Sequence, residues 1–140
     1  LKSLLRSNMI LTPHMKEMSR LVRCGVKELV EERFEIFEQF LEKYPVVCVM
    51  KDARTLVGKQ QKDIYINLSG TAAMAKAGSG DVLTGMIAGI TGQRKDCYHS
   101  ACIGVYLHGL AGEKARDRKG NYSVLASDII DGISAVLKEI

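Results

Sequence analysis

Short apolar runs and longer amphipathic stretches divide the chain into predicted strands and helices. An apolar run bounded by turn residues predicts a strand, and apolar residues at every third or fourth position predict a helix. Strands are expected at 8–11, 46–50, 56–58 and 64–67, the last two forming a hairpin around a loop at 58–63. Helices are expected from His14 or Met15 to about Arg23 and at 27–44, 82–90, 96–117 and 127–137. The pattern predicts helices that cover a sheet.

The predicted helix at 27–44 carries its bulky apolar residues on one face. These residues repeat at spacings of three and four: Phe34, Phe37, Phe40 and Leu41. Packing against a sheet explains them better than a binding surface does. Pro45 ends the helix, and the apolar run that follows at 46–50 predicts a strand buried on both faces.

The last two predicted helices differ in how they are expected to pack and to begin. Small residues let the helix at 96–117 approach a neighbour closely: Gly104, Gly109 and Gly112. Gly120 and Asn121 break that helix. Ser127 and Asp128 then offer an N-cap for a final amphipathic helix.

Length, apolar content and net charge limit the classes of protein to which this sequence can belong. With 140 residues and 46% apolar content, the chain predicts a single domain spanning 1–140 with its own core. The net charge of +4 comes from lysines and arginines interspersed with acidic residues, so we expect no nucleic-acid partner. No apolar run approaches the roughly 18 residues of a membrane helix, and no secretory pattern is present. We therefore expect a cytoplasmic protein without a membrane partner.

The cysteines show no pattern that indicates a disulfide or a metal site. Cys24, Cys48, Cys97 and Cys102 form no CxxC pair and have no metal-ligand spacing with the three histidines. Reduced thiols that contribute to packing are the expectation, and we expect no protein-ligated metal.

A glycine-rich loop before an apolar helix is the strongest chemical signal in the sequence. Gly78, Ser79 and Gly80 precede Asp81, after which the apolar helix continues. Glycines let the backbone approach a ligand, and the first N–H groups of a helix have no partner inside it. These groups favour a phosphoryl ligand. Asp81 would repel a phosphate, so it is a helix cap, a magnesium contact or a base.

A second polar cluster is expected where the strand at 8–11 ends. In open α/β sheets ligands bind beyond the carboxyl ends of strands, and the segment TPHMKE lies at such an end. His14 and Glu17 occupy neighbouring positions on one helical face. Taken alone, His14 is also compatible with an ordinary capping residue.

These motifs together resemble a known family. The stretch NLSGTAAMAKAGSGDVLTGMIAGITG, with TPHMKE, KDART and VYLHGLAG, is similar to the ribokinase-like superfamily. The closest resemblance is to the C-terminal domain of the YjeF family, the ADP- or ATP-dependent NAD(P)H-hydrate dehydratases. It extends from about Leu4 to Ile140 but covers only the second half of that domain. The resemblance implies an α/β, three-layer ribokinase-like fold with a small β-hairpin, of which this chain is the C-terminal portion.

The resemblance also implies a role for each matching residue. Asp81 corresponds to the catalytic base, and Gly78, Ser79 and Gly80 correspond to the anion hole. His14 corresponds to a contact with the hydrated nicotinamide, and Glu17 supports it; Asp81 also contacts this substrate. The string at 51–55 corresponds to the family's KGxxT-like contact with the adenylate, which Gly80 also touches. Its members are Lys51, Asp52, Ala53, Arg54 and Thr55.

Charge and hydroxyl groups in that string suit phosphate oxygens, which Lys51, Arg54 and Thr55 can contact. Asp52 departs from the family, which has glycine there, and its side chain and charge oppose close approach of a nucleotide. His108, in a YLHGxAG-like string, is expected to be structural. The implied cofactors are Mg²⁺ and ADP or ATP as phosphoryl donor, and the implied partners are NAD(P)H-hydrate and an adenine nucleotide, in a homo-oligomer.

Two other functions remain open from the sequence. One is a small-molecule kinase of the same superfamily that acts on a vitamin precursor. The other is a non-catalytic nucleotide-binding or assembly module, because the N-terminal half of the family's domain is absent and Leu1 is not methionine. We therefore expect the chain to be part of a longer domain, and it is open whether the part is active alone.

Overall fold

The computed structural model describes residues 4–139, and their contacts divide the chain into two compact units. The first ends at Ile66 and the second begins at Asn67. Leu1 and Ile140, the ends of the predicted domain, lie outside the described residues. That the whole chain forms one domain remains a prediction.

The first unit contains a four-stranded sheet and three helices. Its elements are β1 (Ile10–Leu11), α1 (Met15–Val22), α2 (Val26–Glu31), α3 (Arg33–Lys43), β2 (Val47–Met50), β3 (Leu56–Gly58) and β4 (Tyr65–Ile66). The strands lie in chain order, with β1 parallel to β2 and the other neighbours antiparallel. The α/β class and the hairpin of β3 and β4 are thus confirmed.

The core of this unit lies between the helices and the sheet. Every residue of β2 is buried, as predicted for this strand. Met18 of α1, Leu29 of α2 and Phe37 of α3 are fully buried in the same cluster as Cys48 and Met50 of the sheet. Removing a side chain of this size from water contributes about 1.5–3 kcal/mol, so this cluster stabilises the unit.

Two predicted elements of this unit differ from the structure. The strand expected at 8–11 is only Ile10–Leu11, and it is half-buried because it lies at the edge of the sheet and pairs with β2 alone. The single helix expected at 27–44 is two helices that meet at Glu32, whose φ of −113° is not helical.

The aromatic face of α3 is confirmed for three of its four members, Phe37, Phe40 and Leu41, which are buried. Phe34 is 45% exposed, so its assignment to the core is wrong. Phe34 lies in the first turn of α3, beside the break at Glu32, and the buried face of this helix begins at Phe37. The Phe34 ring contacts the guanidinium of Arg33, 5.2 Å from its centre.

The second unit is helical. Its elements are a short 3-10 turn (Ala72–Met74) and the helices α4 (Ser79–Arg94), α5 (Cys97–Lys119) and α6 (Ala126–Leu137). A tight turn at Lys95 and Asp96 joins α4 to α5, which pack together as an antiparallel hairpin. α4 and α6 contain the stretches predicted for them and extend further. α5 begins one residue later than predicted, with Asp96 as its N-cap, and ends two residues later.

The glycines of α5 confirm the predicted close approach. A Cβ at Gly104 would lie 2.6 Å from Cγ1 of Ile87 on α4, closer than atoms can approach. A Cβ at Gly109 would overlap Ser69, and one at Gly112 would overlap Met74. At Gly109 the overlap includes the backbone of Ser69, so a larger residue there requires the backbone to move, whereas at Gly104 and Gly112 a neighbouring side chain would have to shift.

The start of α6 differs from the prediction that Ser127 and Asp128 provide its N-cap. The helix begins at Ala126, with Leu125 as the N-cap, so Asp128 is the third helical residue. Its carboxylate reaches back and accepts the Leu125 N–H at 2.9 Å. It satisfies the N–H of the N-cap residue, which is the contact that the third helical residue makes in a capping box.

All four cysteines have free thiols, as predicted. Burial raises the pKa of the Cys48 thiol, which keeps it protonated and unreactive. Within residues 4–139, no helix is both long and apolar enough to span a bilayer.

Candidate functional site

His14 and Glu17 form a reciprocal cap at the start of α1. The Glu17 N–H donates to Nδ1 of His14 at 3.1 Å, and the His14 N–H donates to Oε2 of Glu17 at 2.8 Å. The extended backbone of His14 after Pro13 makes this geometry possible. The hydrogen bond from the His14 backbone lowers the pKa of Glu17, and the charges of Lys51 and Arg20 act in the same direction.

The cap lies beside the first residue of the 51–55 string. The Lys51 N–H donates to the carbonyl oxygen of Pro13 at 2.8 Å, and His14 and Lys51 form an isolated parallel bridge. This bridge continues the pairing of β1 with β2 past their carboxyl ends. The first unit therefore brings His14, Glu17 and Lys51 to the same end of its sheet, where ligands of α/β proteins bind.

A tight turn follows Lys51. The Thr55 hydroxyl donates to the carbonyl oxygen of Asp52 at 3.1 Å, and the Asp52 N–H lies 3.4 Å from the same hydroxyl oxygen. Thr55 is only 9% exposed, so its hydroxyl serves the turn. Asp52, Ala53 and Arg54 are exposed.

Arg33 holds this turn, and no motif in the sequence indicated this role. Its Nη1 lies 3.5 Å from Oδ2 of Asp52, and its Nη2 donates to the carbonyl oxygen of Arg54 at 2.9 Å. Arg33 is on α3, 19 residues before Asp52. Its guanidinium offsets the charge of Asp52, the residue that departs from the family's glycine.

The Gly78–Asp81 loop of the second unit begins α4. Gly78, the N-cap, has a φ of +85°, and a Cβ there would lie 3.1 Å from Cβ of Ala126. The positive φ favours glycine, and the close neighbour leaves little room for a side chain. The Ser79 N–H donates to Lys76 and the Asp81 N–H to Gly78, whereas the Gly80 N–H has no acceptor among residues 4–139. The Gly78 N–H likewise has no acceptor among these residues, so two backbone donors of the loop are left for a ligand.

Asp81 is the third residue of α4, and its side chain is exposed. The helix has no side-chain cap, so the interpretation of Asp81 as a helix cap is wrong. Among the described residues the carboxylate has no hydrogen bond or ion pair. Its exposed position, three residues after Gly78, leaves it available to a substrate.

His108 of α5 is a buried imidazole in the same unit. It is 8% exposed, and its Nε2 has no hydrogen-bond partner among the described residues. Burial lowers its pKa to about 4, and a hydrogen bond with the Ser79 backbone opposes this shift. A buried polar atom without a partner costs about 1–3 kcal/mol. The sequence predicted a structural role for His108 and gave no sign of this unpaired atom.

The segment before the loop is also held by α5. The Glu113 carboxylate accepts the Gly70 N–H at 2.7 Å, and the Ser69 hydroxyl donates to the carbonyl oxygen of Tyr106 at 2.9 Å. These contacts join residues 37 and 43 positions apart in the chain, so sequence spacing did not reveal them.

The candidate residues thus form one group in each unit, His14, Glu17 and 51–55 in the first and 78–81 in the second. Within 4–139 no cluster of three or more histidine, cysteine, aspartate or glutamate side chains is placed to hold a metal.

The sequence profile described as NAD(P)H-hydrate dehydratase matches residues 2–135 of the chain. The bifunctional NAD(P)H-hydrate repair enzyme Nnr of Moorella thermoacetica is 39% identical over 94% of this chain and 25% of its own length. The ADP-dependent (S)-NAD(P)H-hydrate dehydratase of Bacillus subtilis is 35% identical over 92% of this chain and 47% of its own. The chain spans about a quarter of the first relative and about half of the second.

Solved structures show the same fold. The Bacillus subtilis ADP/ATP-dependent NAD(P)H-hydrate dehydratase, co-crystallised with ATP and Mg²⁺, superposes with a TM-score of 0.88 and 35% identity, over 93% of this chain and 47% of that one. Ribokinase of Thermotoga maritima, with a TM-score of 0.50 and 19% identity, covers 92% of this chain and 42% of its own, a likeness of fold alone. The predicted ribokinase-like fold is confirmed.

Proposed function

Because the chain belongs to the NAD(P)H-hydrate dehydratase family, we propose that it serves the nucleotide-dependent dehydration of hydrated NADH or NADPH. One observation carries the proposal. Asp81 has an exposed carboxylate with no partner among the described residues, directly after a loop whose Gly80 N–H is also unpaired. A free base beside a free anion donor is what phosphoryl transfer to a hydroxyl requires.

The proposed reaction has two steps. Asp81 takes the proton of the hydroxyl on the hydrated ring while that oxygen receives the terminal phosphoryl group of the nucleotide. The bond between the ring carbon and that oxygen then breaks, and phosphate leaves with the oxygen. The neighbouring ring carbon loses a proton to solvent, and the ring double bond forms again. The N–H of Gly80 and the positive end of α4 stabilise the charge on the transferring group, since this chemistry depends mainly on positioning and charge neutralisation.

The remaining contacts are assigned by residue. His14 contacts the hydrated nicotinamide, and Glu17 holds His14 through their reciprocal hydrogen bonds. Residues 51–55 contact the adenylate, with Lys51 and Arg54 offering positive charge. The Thr55 hydroxyl keeps the turn in shape, because it donates to Asp52.

The phosphoryl donor is ADP or ATP, with Mg²⁺. The chain offers no cluster of carboxylates for a metal among residues 4–139, and this fits an ion carried by phosphate oxygens. When bound, Mg²⁺ neutralises phosphate charge. Asp81 is the one loop carboxylate near enough in sequence to reach such an ion.

We further propose a cytoplasmic homo-oligomer without a nucleic-acid partner. The outer edge of β1 has no partner strand within the described sheet, and an unpaired edge favours association. Light scattering at several protein concentrations tests this assembly.

The test of the function is a calorimetric titration with ADP and then ATP, each with Mg²⁺, beside a thermal melt and an assay on hydrated NADH. We expect saturable binding, a melting temperature that rises as mass action requires, and turnover. Asp81→Asn should abolish turnover and leave nucleotide affinity within about threefold, because an amide cannot take the proton.

Asp131→Asn is the matched control, since Asp131 is an exposed aspartate on α6 outside the proposed site. It should behave as the unmodified chain does. Turnover retained by Asp81→Asn would refute the assignment of the base. Binding without turnover by the unmodified chain would favour a non-catalytic nucleotide-binding module, and stable phosphorylated product from a vitamin precursor would favour a kinase.

A further inference from the structure

The segment that precedes the anion-binding loop lies along one face of α5. The Gly70 N–H donates to Oε1 of Glu113 at 2.7 Å, and the Ser69 hydroxyl donates to the carbonyl oxygen of Tyr106 at 2.9 Å. Between these two contacts, a Cβ at Gly109 would overlap Ser69. Tyr106, Gly109 and Glu113 follow one another at spacings of three and four, so they form one surface of the helix. Hydrogen bonds therefore hold the segment at both ends of this surface.

The contact at Glu113 uses a charge where a neutral acceptor would suffice. Its donor is the backbone N–H of Gly70, whose φ of +111° favours glycine. Glu113 is partly buried, and its carboxylate forms no ion pair with a lysine, arginine or histidine of residues 4–139. Partial burial of a charge without a counter-ion costs free energy, and glutamine would accept the same N–H at a lower cost. The carboxylate makes the bond roughly twice as strong, so glutamate favours a firm hold on Gly70.

A continuous series of backbone contacts leads from Gly70 to the loop. Next to Gly70, the carbonyl oxygen of Thr71 accepts the Met74 N–H at 3.0 Å. The carbonyl oxygen of Met74 accepts the Lys76 N–H at 2.8 Å, and that of Lys76 accepts the Ser79 N–H at 3.3 Å. Each contact starts at the residue where the previous one ends, so a displacement of Gly70 reaches Ser79 through hydrogen-bonded turns.

We propose that Glu113 is a positioning residue for the anion-binding loop. Its bond to Gly70 fixes the start of this series of turns. The series in turn fixes the direction of the unpaired N–H groups of Gly78 and Gly80 and of the Asp81 carboxylate. Glu113 acts through the backbone and does not touch the ligand. The inference rests on the proposed function for the nature of that ligand, which is the phosphate chain of an adenine nucleotide.

Three substitutions separate the acceptor, the charge and the reach of the Glu113 side chain. Glu113→Ala removes the acceptor, Glu113→Gln keeps an oxygen without the charge, and Glu113→Asp keeps the charge on a side chain one methylene shorter. Glu139→Ala is the matched control. Glu139 is also a hydrogen-bonded glutamate of the second unit, since it accepts from Nζ of Lys114 at 2.6 Å, but its side chain is exposed and lies outside the proposed site.

The experiment measures three quantities for each variant of the full chain. They are the melting temperature, the amide hydrogen exchange of Gly70 and Ser79 without ligand, and the dissociation constant for ADP with Mg²⁺. The Gly70 amide reports the bond to Glu113 itself. The Ser79 amide, which donates to Lys76, reports whether the loss of that bond reaches the loop.

For Glu113→Ala we expect exchange at both amides to be about tenfold faster and the ADP dissociation constant to be about tenfold higher, because a hydrogen bond to a charged group is lost. Glu113→Gln should restore both quantities to within about threefold of the unmodified chain, since its oxygen replaces the acceptor. Glu113→Asp should resemble Glu113→Ala, because the shorter side chain does not reach Gly70. Glu139→Ala should change neither quantity.

A purely structural Glu113 would give a different result. In that case Glu113→Ala would lower the melting temperature but leave exchange at Ser79 and the affinity for ADP within about twofold of the unmodified chain, and the inference would be overturned. If Glu113→Ala does not fold, Glu113→Asp decides: fast exchange at Ser79 supports the positioning role, and unchanged exchange there refutes it. A chain that binds no ADP would contradict the proposed function, whereas the exchange comparison needs no ligand and still tests Glu113.

Discussion

At the scale of single residues, environment decides which of two similar side chains is available for chemistry. Asp81 and Asp128 are both the third residue of a helix. Asp128 is buried and bonded to the Leu125 N–H and to Lys119, and these contacts lower its pKa. Asp81 is exposed and makes no such contact among residues 4–139. The sequence shows two aspartates at helix starts, and only the structure separates the capping residue from the free one.

The buried imidazole of His108 predicts a specific pH dependence of stability. Its pKa is about 4 in the folded chain and 6.5 in an ordinary environment, and no charged side chain is among the causes of the shift. Between these values the unfolded chain binds the extra proton, so this group's contribution to stability is complete above pH 6.5 and is lost as the pH falls towards 4. The loss is on the order of 3 kcal/mol.

Urea denaturation at pH 7 and at pH 4.5, in the unmodified chain and in His108→Leu, measures this loss of stability on acidification. Carboxylates titrate in both proteins, so the difference between the two isolates the histidine. We expect the unmodified chain to lose more stability on acidification than His108→Leu does. Equal losses would mean that His108 titrates normally.

At the scale of elements, the surroundings of each glycine decide whether its substitution by alanine stabilises or destabilises the chain. Gly89 lies on the exposed side of α4, and a Cβ there would meet no atom within 4 Å. A Cβ at Gly132 of α6 would overlap the backbone carbonyl of Ala111 on α5. The two glycines look alike in sequence, because both lie inside predicted helices.

We predict that Gly89→Ala stabilises the chain by about 0.5–1 kcal/mol, since alanine restricts the unfolded chain and favours the helix. Gly132→Ala should destabilise it by about 1–3 kcal/mol, because α6 must move away from α5. Urea midpoints measure both changes. A destabilising Gly89→Ala would mean that the outer face of α4 is covered by a further contact.

A second prediction at this scale concerns the contact between α3 and the 51–55 turn. Arg33 offsets the charge of Asp52, and both side chains are partly exposed, so their coupling should be about 0.2–1 kcal/mol. A double-mutant cycle of Arg33→Ala and Asp52→Ala, with unfolding free energy as the readout, measures it.

Nucleotide affinity is the second readout of this cycle. Arg33→Ala alone should weaken ADP binding, because it removes the cation beside the Asp52 carboxylate and one donor to the carbonyl of Arg54. The double variant should bind better than Arg33→Ala does. Glu38→Ala, an exposed substitution on the same helix, is the control for α3 itself.

At the scale of the whole molecule, the cysteines report on each unit separately. Cys48 is fully buried in the first unit, and Cys102 is half-buried in the second. Burial raises the pKa of both thiols, so neither should react rapidly in the folded chain. Their labelling in urea therefore tests whether the chain behaves as the single domain that the sequence predicts.

We expect Cys48 and Cys102 to become reactive with one common urea midpoint, measured by pulsed labelling and mass spectrometry. Two-state unfolding of a small domain requires this coincidence of probes. Separate midpoints would show that the units unfold independently.

The sequence by itself determined the features that depend on neighbours within a few residues. The reciprocal cap of His14 and Glu17, the glycine favoured at Gly78 and the buried strand at Val47–Met50 follow from local spacing and backbone geometry. Tertiary structure alone decided the break at Glu32, the contact of Arg33 with Asp52 and the unpaired nitrogen of His108. These depend on which elements meet in space, and the free energy of such contacts comes from packing and burial between residues far apart in the chain.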